Sequence, residues 1–279
     1  MIGRWLMPLL LLATGAASAE PHRLLSAGSS ITELILALDA GKQLVAVDST
    51  SELPADSPLP RLGYHRQLGA EGMLSTRPSL VIGSEEMGPA SALNLVRQAG
   101  IQVEALPEAM TIAQLQLNIT RLGKLLDRQP QAETLHREIG ERAQKLVADN
   151  PAAGKRTVFL LLGEGNKVQI AGNSTLADSL IRLAGGRNPA ADRIEGYKPV
   201  AMEALVTMAP ELILISRRHL DQQGSKEELL RRFPLLRQTP ASARDAIVPI
   251  NGKALIGGLG LTTLSEAERL NRDWLRQQR

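Results

Sequence analysis

The chain has 279 residues, of which 43% are hydrophobic, 22% charged and 2% aromatic; that is enough for one large or two medium domains with apolar cores, and it excludes a disordered or fibrous protein. With 32 basic residues against 29 acidic ones the net charge is +3 without any basic block, so no nucleic-acid footprint is indicated. The absence of cysteine removes thiolate zinc sites, iron–sulfur clusters, thiol catalysis and disulfides together.

Arg4 gives a positive start, residues 5–13 form a short apolar run, and Ala17-Ser18-Ala19 is a small-x-small cleavage pattern. This predicts a signal peptide over residues 1–19, cut after Ala19, and an exported, most simply periplasmic, protein. The run is well short of the roughly 20 apolar residues that a spanning helix needs. From residue 20 to about 128, short β-rich runs at 23–27, 44–47 and 80–82 alternate with helical patterns at 31–38 and 90–99, which implies a mainly parallel sheet. Apolar residues then recur at helical spacing over 112–126 and again, after Pro130, to Val147. The αβ alternation resumes with Val158-Phe159-Leu160-Leu161-Leu162 and ends in an amphipathic helix over about 261–278.

A weak internal repeat points to two similarly built lobes. Tyr64, Glu71, Pro78 and the apolar run Leu80-Val81-Ile82 are echoed by Tyr197, Glu203, Pro210 and Leu212-Ile213-Leu214-Ile215. Each glutamate stands seven residues before a proline that introduces a strand. Ala27-Gly28-Ser29-Ser30 is likewise echoed by Ala171-Gly172-Asn173-Ser174, with a small polar residue expected to cap a helix and free backbone N–H groups suited to an anion.

The four histidines, His22, His65, His136 and His219, include no pair at helical metal-binding spacing, so a dedicated metal site is not expected. His136 is expected on a helix surface. No nucleophile elbow, zinc-protease motif or phosphate loop is present, and a secreted hydrolase would need a Ser–His–Asp geometry that the sequence does not advertise. Gly257-Gly258-Leu259-Gly260 has the wrong spacing for a dinucleotide fingerprint and reads as a flexible turn. The arginines at 269, 272, 276 and 279 fall on one side of the last helix as a solvated face. The informative segment is Leu62-Gly63-Tyr64-His65-Arg66-Gln67-Leu68, in a loop after a proline-punctuated stretch. Its tyrosine is either an aromatic cap over the sheet edge or a ligand-facing side chain.

These residues resemble the periplasmic haem-binding proteins of bacterial haem-uptake ABC transporters, within the wider class that binds vitamin B12 and siderophores. The likeness covers essentially the whole mature chain. It rests on Ala27-Gly28-Ser29-Ser30-Ile31-Thr32-Glu33, Gly63-Tyr64-His65-Arg66-Gln67-Leu68, Glu71 with Pro78, and Gly196-Tyr197-Lys198-Pro199 with Glu203 and Pro210. The resemblance implies an α/β fold of two lobes with mainly parallel sheets, 20–128 and 151–279, joined by one long helix at 129–150, with the ligand in the cleft between them. It implies Tyr64 as axial ligand of haem iron and Arg66 as its partner: a phenolate is a hard donor suited to ferric iron, and a guanidinium favours the ionised phenol.

Ser29, Ser30, Asn173 and Ser174 would then offer donors to the propionates, and Met87 and Met202 apolar surface; His65, Asn166 and Tyr197 are further pocket candidates. Some members of the family carry an additional histidine ligand early in the second lobe, but this chain reads Leu162-Gly163-Glu164-Gly165-Asn166 there, so one five-coordinate haem is expected. Glu71 and Glu203 match the paired glutamates that dock onto arginines of the membrane permease, although each also suits an early helical turn. The implied protein is a monomeric haem carrier without a catalytic cofactor. Its implied partners are an inner-membrane ABC permease with its ATPase and an outer-membrane haem receptor system, and a ferric siderophore or vitamin B12 is the alternative ligand.

Overall fold

The structure is a computed structural model that describes residues 22–148, 154–163 and 167–276. The signal-peptide prediction, Asn166 and the end of the connecting helix lie outside them. The first half runs β1 (Leu24–Ala27), α1 (Ser29–Ala37), β2 (Leu44–Val47), α2 (Ala70–Ser75), β3 (Leu80–Ser84), α3 (Ala90–Gln98) and β4 (Gln102–Leu106). Helices α4 (Ile112–Leu125) and α5 (Gln129–Ala148) follow. The second half comprises β5 (Thr157–Leu162), β6 (Val168–Ala171), α6 (Leu176–Leu183), β7 (Tyr197–Pro199), α7 (Met202–Thr207), β8 (Leu212–Ser216) and α8 (Arg217–Gln223). It ends with α9 (Lys226–Arg232), α10 (Pro240–Ala243), β9 (Ile247–Ile250) and α11 (Leu261–Arg276).

The first sheet, in the order β2-β1-β3-β4, is parallel throughout. Its faces alternate along each strand, as the two-residue period requires. Leu24, Leu80 and Ile82 enter the large core shared with α1, α4 and α5, whereas Leu25, Ala27 and Val81 enter a smaller core under α2 and α3. The second sheet has the order β7-β6-β5-β8-β9; β5, β8 and β9 are parallel, while β6 pairs antiparallel with both β5 and β7. The few residues between β5 and β6 are too short for a crossover, so these two strands form a hairpin. The result is a mixed α/β protein with mainly parallel sheets.

The 20-residue α5 is about 30 Å long at 1.5 Å per residue and links the halves. The halves share more than this helix, because the large core is continuous from α1 through α4 and α5 to α11 and the second sheet, with Trp274 of α11 fully buried in it. The glycine run before α11 is correspondingly a packed joint and not a loose turn. Gly257 and Gly258 have φ of 77° and 89°, and a Cβ on Gly258 would stand 3.0 Å from Glu108 and 3.1 Å from the Ala109 nitrogen. Arg269 likewise departs from the expected solvated face: it pairs with Glu266 and Asp273 and donates to the Pro249 carbonyl at 3.0 Å.

Candidate functional site

A cavity of about 1160 Å³ opens between the halves, at the large end of ordinary ligand sites. Ser49 and Thr50, just past β2, line it from the first half; Phe159, Leu161, Tyr197, Ser216, Arg217, Arg218, His219, Lys253 and Ile256 are among the residues lining it from the second. Its wall combines apolar side chains with the cations Arg217, Arg218 and Lys253 and the acid Asp221.

Buried Asp48 organises the first half's rim. One carboxylate oxygen accepts from the Gly28 amide at 3.0 Å and the Ser51 hydroxyl at 2.5 Å, and the other from the Thr50 amide at 2.9 Å and its hydroxyl at 2.5 Å. Burial acts to raise its pKa, but the neighbouring His65, Ser51 and Thr50 outweigh that and hold it well below the usual carboxylate range. The Ser49 amide then donates to the Gly63 carbonyl at 3.2 Å, so the turn carrying Tyr64 is fastened to the strip that lines the cavity. Tyr64 itself is 41% exposed. The turn is anchored on its other side by Gly88, whose amide donates to the His65 carbonyl and whose carbonyl accepts from the Leu68 amide.

The structure separates the other expected site residues into groups. His65 points inward: it is buried, its Nδ1 is 3.6 Å from Asp48, and its ring meets that of Tyr64 edge to face at 4.4 Å. Arg66 pairs with Glu86, both partly exposed. Ser29 and Ser30 do not cap α1, whose N-cap Gly28 makes no side-chain bond; their hydroxyls donate to the Ile256 and Gly257 carbonyls, fastening the two halves together. Asn173 and Ser174 do not cap α6 either. Thr175 does, accepting from the Asp178 amide, while Asn173 donates to the Ala191 carbonyl at 3.2 Å. Met87 is buried in the smaller core, and Met202 packs against the larger one. Tyr197 lines the cavity beside Phe159, ring centroids 6.3 Å apart, and burial pushes its phenol up to about 12.

Glu71 and Glu203 are each the second residue of a six-residue helix, α2 and α7, leading into β3 and β8; both are exposed. His136 is exposed on α5, as its helical pattern implied. Asp48, Arg217, Arg218 and Lys253 are not among the residues that the sequence singled out, and His219 figured there only as a histidine without a helical metal-binding partner. Asp48-Ser49-Thr50-Ser51 carried a signal, an Asx-type turn after a strand; the Arg217-Arg218-His219 run directly after β8 carried another, since ligands gather beyond the C-terminal ends of parallel strands.

Residues 24–253 match a family model described as periplasmic binding protein. The structure superposes on the crystal structure of the periplasmic haem-binding protein HutB of Vibrio cholerae with a TM-score of 0.86 at 43% identity, covering 90% of this chain and 97% of that one. It superposes on the periplasmic haem-binding protein BhuT in complex with two haems with a TM-score of 0.83 at 31% identity, covering 92% and 98%. A vitamin B12-binding protein of Vibrio parahaemolyticus is 24% identical over 232 residues, 83% of this chain and 84% of its own.

Proposed function

Because the chain belongs to the periplasmic binding protein family, whose members are exported solute-binding proteins and not enzymes, we propose that it is a periplasmic haem carrier. It binds ferric haem in the interlobe cleft and passes it to the permease of an ABC transporter. Tyr64 is the proposed axial ligand. The observation that carries this reading is an exposed tyrosine on a turn whose Gly63 carbonyl accepts from the amide of cavity-lining Ser49, with apolar walls in that cavity and Arg217 and Arg218 without an ion pair among the described residues. A phenolate oxygen meets ferric iron, Phe159 and Leu161 meet the porphyrin face, and the guanidinium groups meet the propionates.

Arg66 comes into play once the phenol ionises, by leaving Glu86 for the phenolate. Ser29 and Ser30 serve the joint between the halves, so the propionates draw on the cavity cations in their place. Glu71 and Glu203, alike in placement and without a side-chain partner among the described residues, are proposed as the contacts to the permease. The signal peptide ends after Ala19, and the outer-membrane receptor system is the proposed source of haem.

A titration of the mature protein with hemin, followed by absorption beside Tyr64→Ala, tests this. A saturable ferric phenolate spectrum in the wild type, lost in the variant, is the expected result. Vitamin B12, the ligand named for relatives at 24% identity, is titrated in parallel. Saturable binding of cobalamin without hemin binding overturns the haem reading.

A further inference from the structure

We propose that Glu52 is a built-in competitor for the carboxylate of the cargo: it holds the Lys253 ammonium across the cleft in the empty carrier and gives it up to a haem propionate on loading. The inference rests on the haem reading above and adds to it a control on how tightly the cargo is held.

Lys253 lines the cavity from the second half, and Glu52, two residues beyond cavity-lining Thr50, reaches it from the first, so their ion pair bridges the halves at the edge of the cavity. Arg217 and Arg218 in the same wall have no ion pair among the described residues. A cargo carboxylate that turns to Lys253 therefore meets a rival already in place, and it meets none at either arginine.

The two ends of the bridge are fixed independently of each other. Glu52 follows Ser51, whose hydroxyl donates to Asp48 at 2.5 Å and whose carbonyl accepts from Arg61. Lys253 sits in a short turn, Gly252–Leu255, that is pinned by three bonds. The Lys253 amide donates to Asn251 Oδ1 at 3.1 Å, the Asn251 amide to Glu266 at 3.1 Å, and the Thr263 hydroxyl to the Ala254 carbonyl at 2.8 Å. Neither backbone depends on the ion pair. Side-chain exposures of 56% for Lys253 and 52% for Glu52 leave both charges in contact with water, where such a pair holds weakly.

Lysine carries a point charge on a flexible four-carbon stem, so its ammonium changes partner by side-chain rotation alone. The halves stay joined when it does, because Ser29 and Ser30 bond to the Ile256 and Gly257 carbonyls and Thr262 bonds to Glu33. The bridge is thus suited to exchange and is not needed as a strut. Each loading breaks it and each release restores it, which lowers affinity and hastens delivery.

The test titrates the full mature protein with hemin and with haem dimethyl ester, whose propionates carry no charge, and follows transfer of each to apomyoglobin. Glu52→Gln is expected to bind hemin about two- to fivefold tighter and to release it more slowly, with the ester unchanged. Lys253→Gln is expected to bind hemin about three- to tenfold more weakly. Adding Glu52→Gln to Lys253→Gln brings no gain, since the competitor has lost what it competes for. A gain of the same size in the Lys253→Gln background, an equal gain for the ester, or no gain in Glu52→Gln overturns the inference and leaves the haem reading standing. Joint loss of hemin binding and thermal stability in Glu52→Gln makes the pair a strut and overturns it as well. A wild type that takes up no hemin overturns both.

Discussion

Arg66 and Glu86 form an ion pair at the edge of the Tyr64 turn, with side-chain exposures of 50% and 28%. The pair engages the guanidinium that is proposed to serve the phenol, so on that reading iron binding competes with Glu86. An exposed pair of this kind is worth about 0–1 kcal/mol. Glu86→Gln frees Arg66 and is expected to tighten haem binding, by no more than about fivefold. Glu108 nearby, whose carboxyl is raised by burial and then by Glu86, shifts back down in the same variant. A hemin titration of the variant, with NMR titration of Glu108, checks both effects.

Arg217 and Arg218 line the cavity without an ion pair among the described residues. Replacing both with Gln is expected to weaken haem binding by about tenfold, the scale of one charged hydrogen bond. Haem dimethyl ester, which lacks the propionate charges, should bind the variant and the wild type alike; an equal loss for the ester would show that the arginines shape the wall and do not read the charge.

Glu33 supplies a pH dependence of stability. Its carboxylate accepts from the Thr262 amide at 3.1 Å and hydroxyl at 2.7 Å, yet burial outweighs those bonds and raises its pKa. A raised folded-state value means that the native protein binds this proton more tightly than the unfolded chain. The group's contribution is fully present below about 4.3, the unfolded value. It is lost as pH rises through the folded value. Glu33→Gln does not ionise, so its thermal midpoint should gain on the wild type as pH is raised from about 4 to 7. Parallel pH profiles would contradict this.

Glu71→Ala and Glu203→Ala are expected to leave haem binding and thermal stability unchanged, since both side chains are exposed and neither makes a side-chain bond among the described residues. Each should reduce the stimulation of transporter ATPase, and the pair together should abolish it. Loss of haem binding in either variant would assign it a structural role.

Gly172→Ala tests the packing of the second half. A Cβ there would overlap the Ile194 carbonyl, which is backbone and has no room to yield. A loss of about 1–3 kcal/mol is expected in urea unfolding. Gly69, where a Cβ meets nothing within 4 Å, should accept Ala within about 0.5 kcal/mol.

The strand and helix periods were legible in the sequence wherever burial is simple. Val81 flanked by Leu80 and Ile82 announced a strand buried on both faces, and the glutamate–proline repeat announced two matched helix-to-strand junctions. What escaped was everything decided by long-range partners. Ser29 and Ser30 look like caps, but carbonyls 227 residues away claim their hydroxyls. The glycine run looks loose because only the fold reveals what presses on it. His65 and His219 are indistinguishable in composition, yet one is turned into a lobe and the other into a cavity. Asp48 is one aspartate among many until its four hydrogen bonds are seen to converge.

The joint between the halves is built from short tethers: Ser29 and Ser30 to the glycine strip, the Leu259 amide to the Ala109 carbonyl at 2.6 Å, Thr262 to Glu33, and Lys253 to Glu52. Hinge-type gaping would have to break several of them and tear a continuous core. Such a molecule works as a caliper with its jaw locked, not as a trap that snaps shut. On the proposed reading, Glu71 and Glu203 then keep one gauge in the loaded and the empty carrier, so the permease would sense occupancy by what fills the gap and would have to drive a wedge between the halves to unload it.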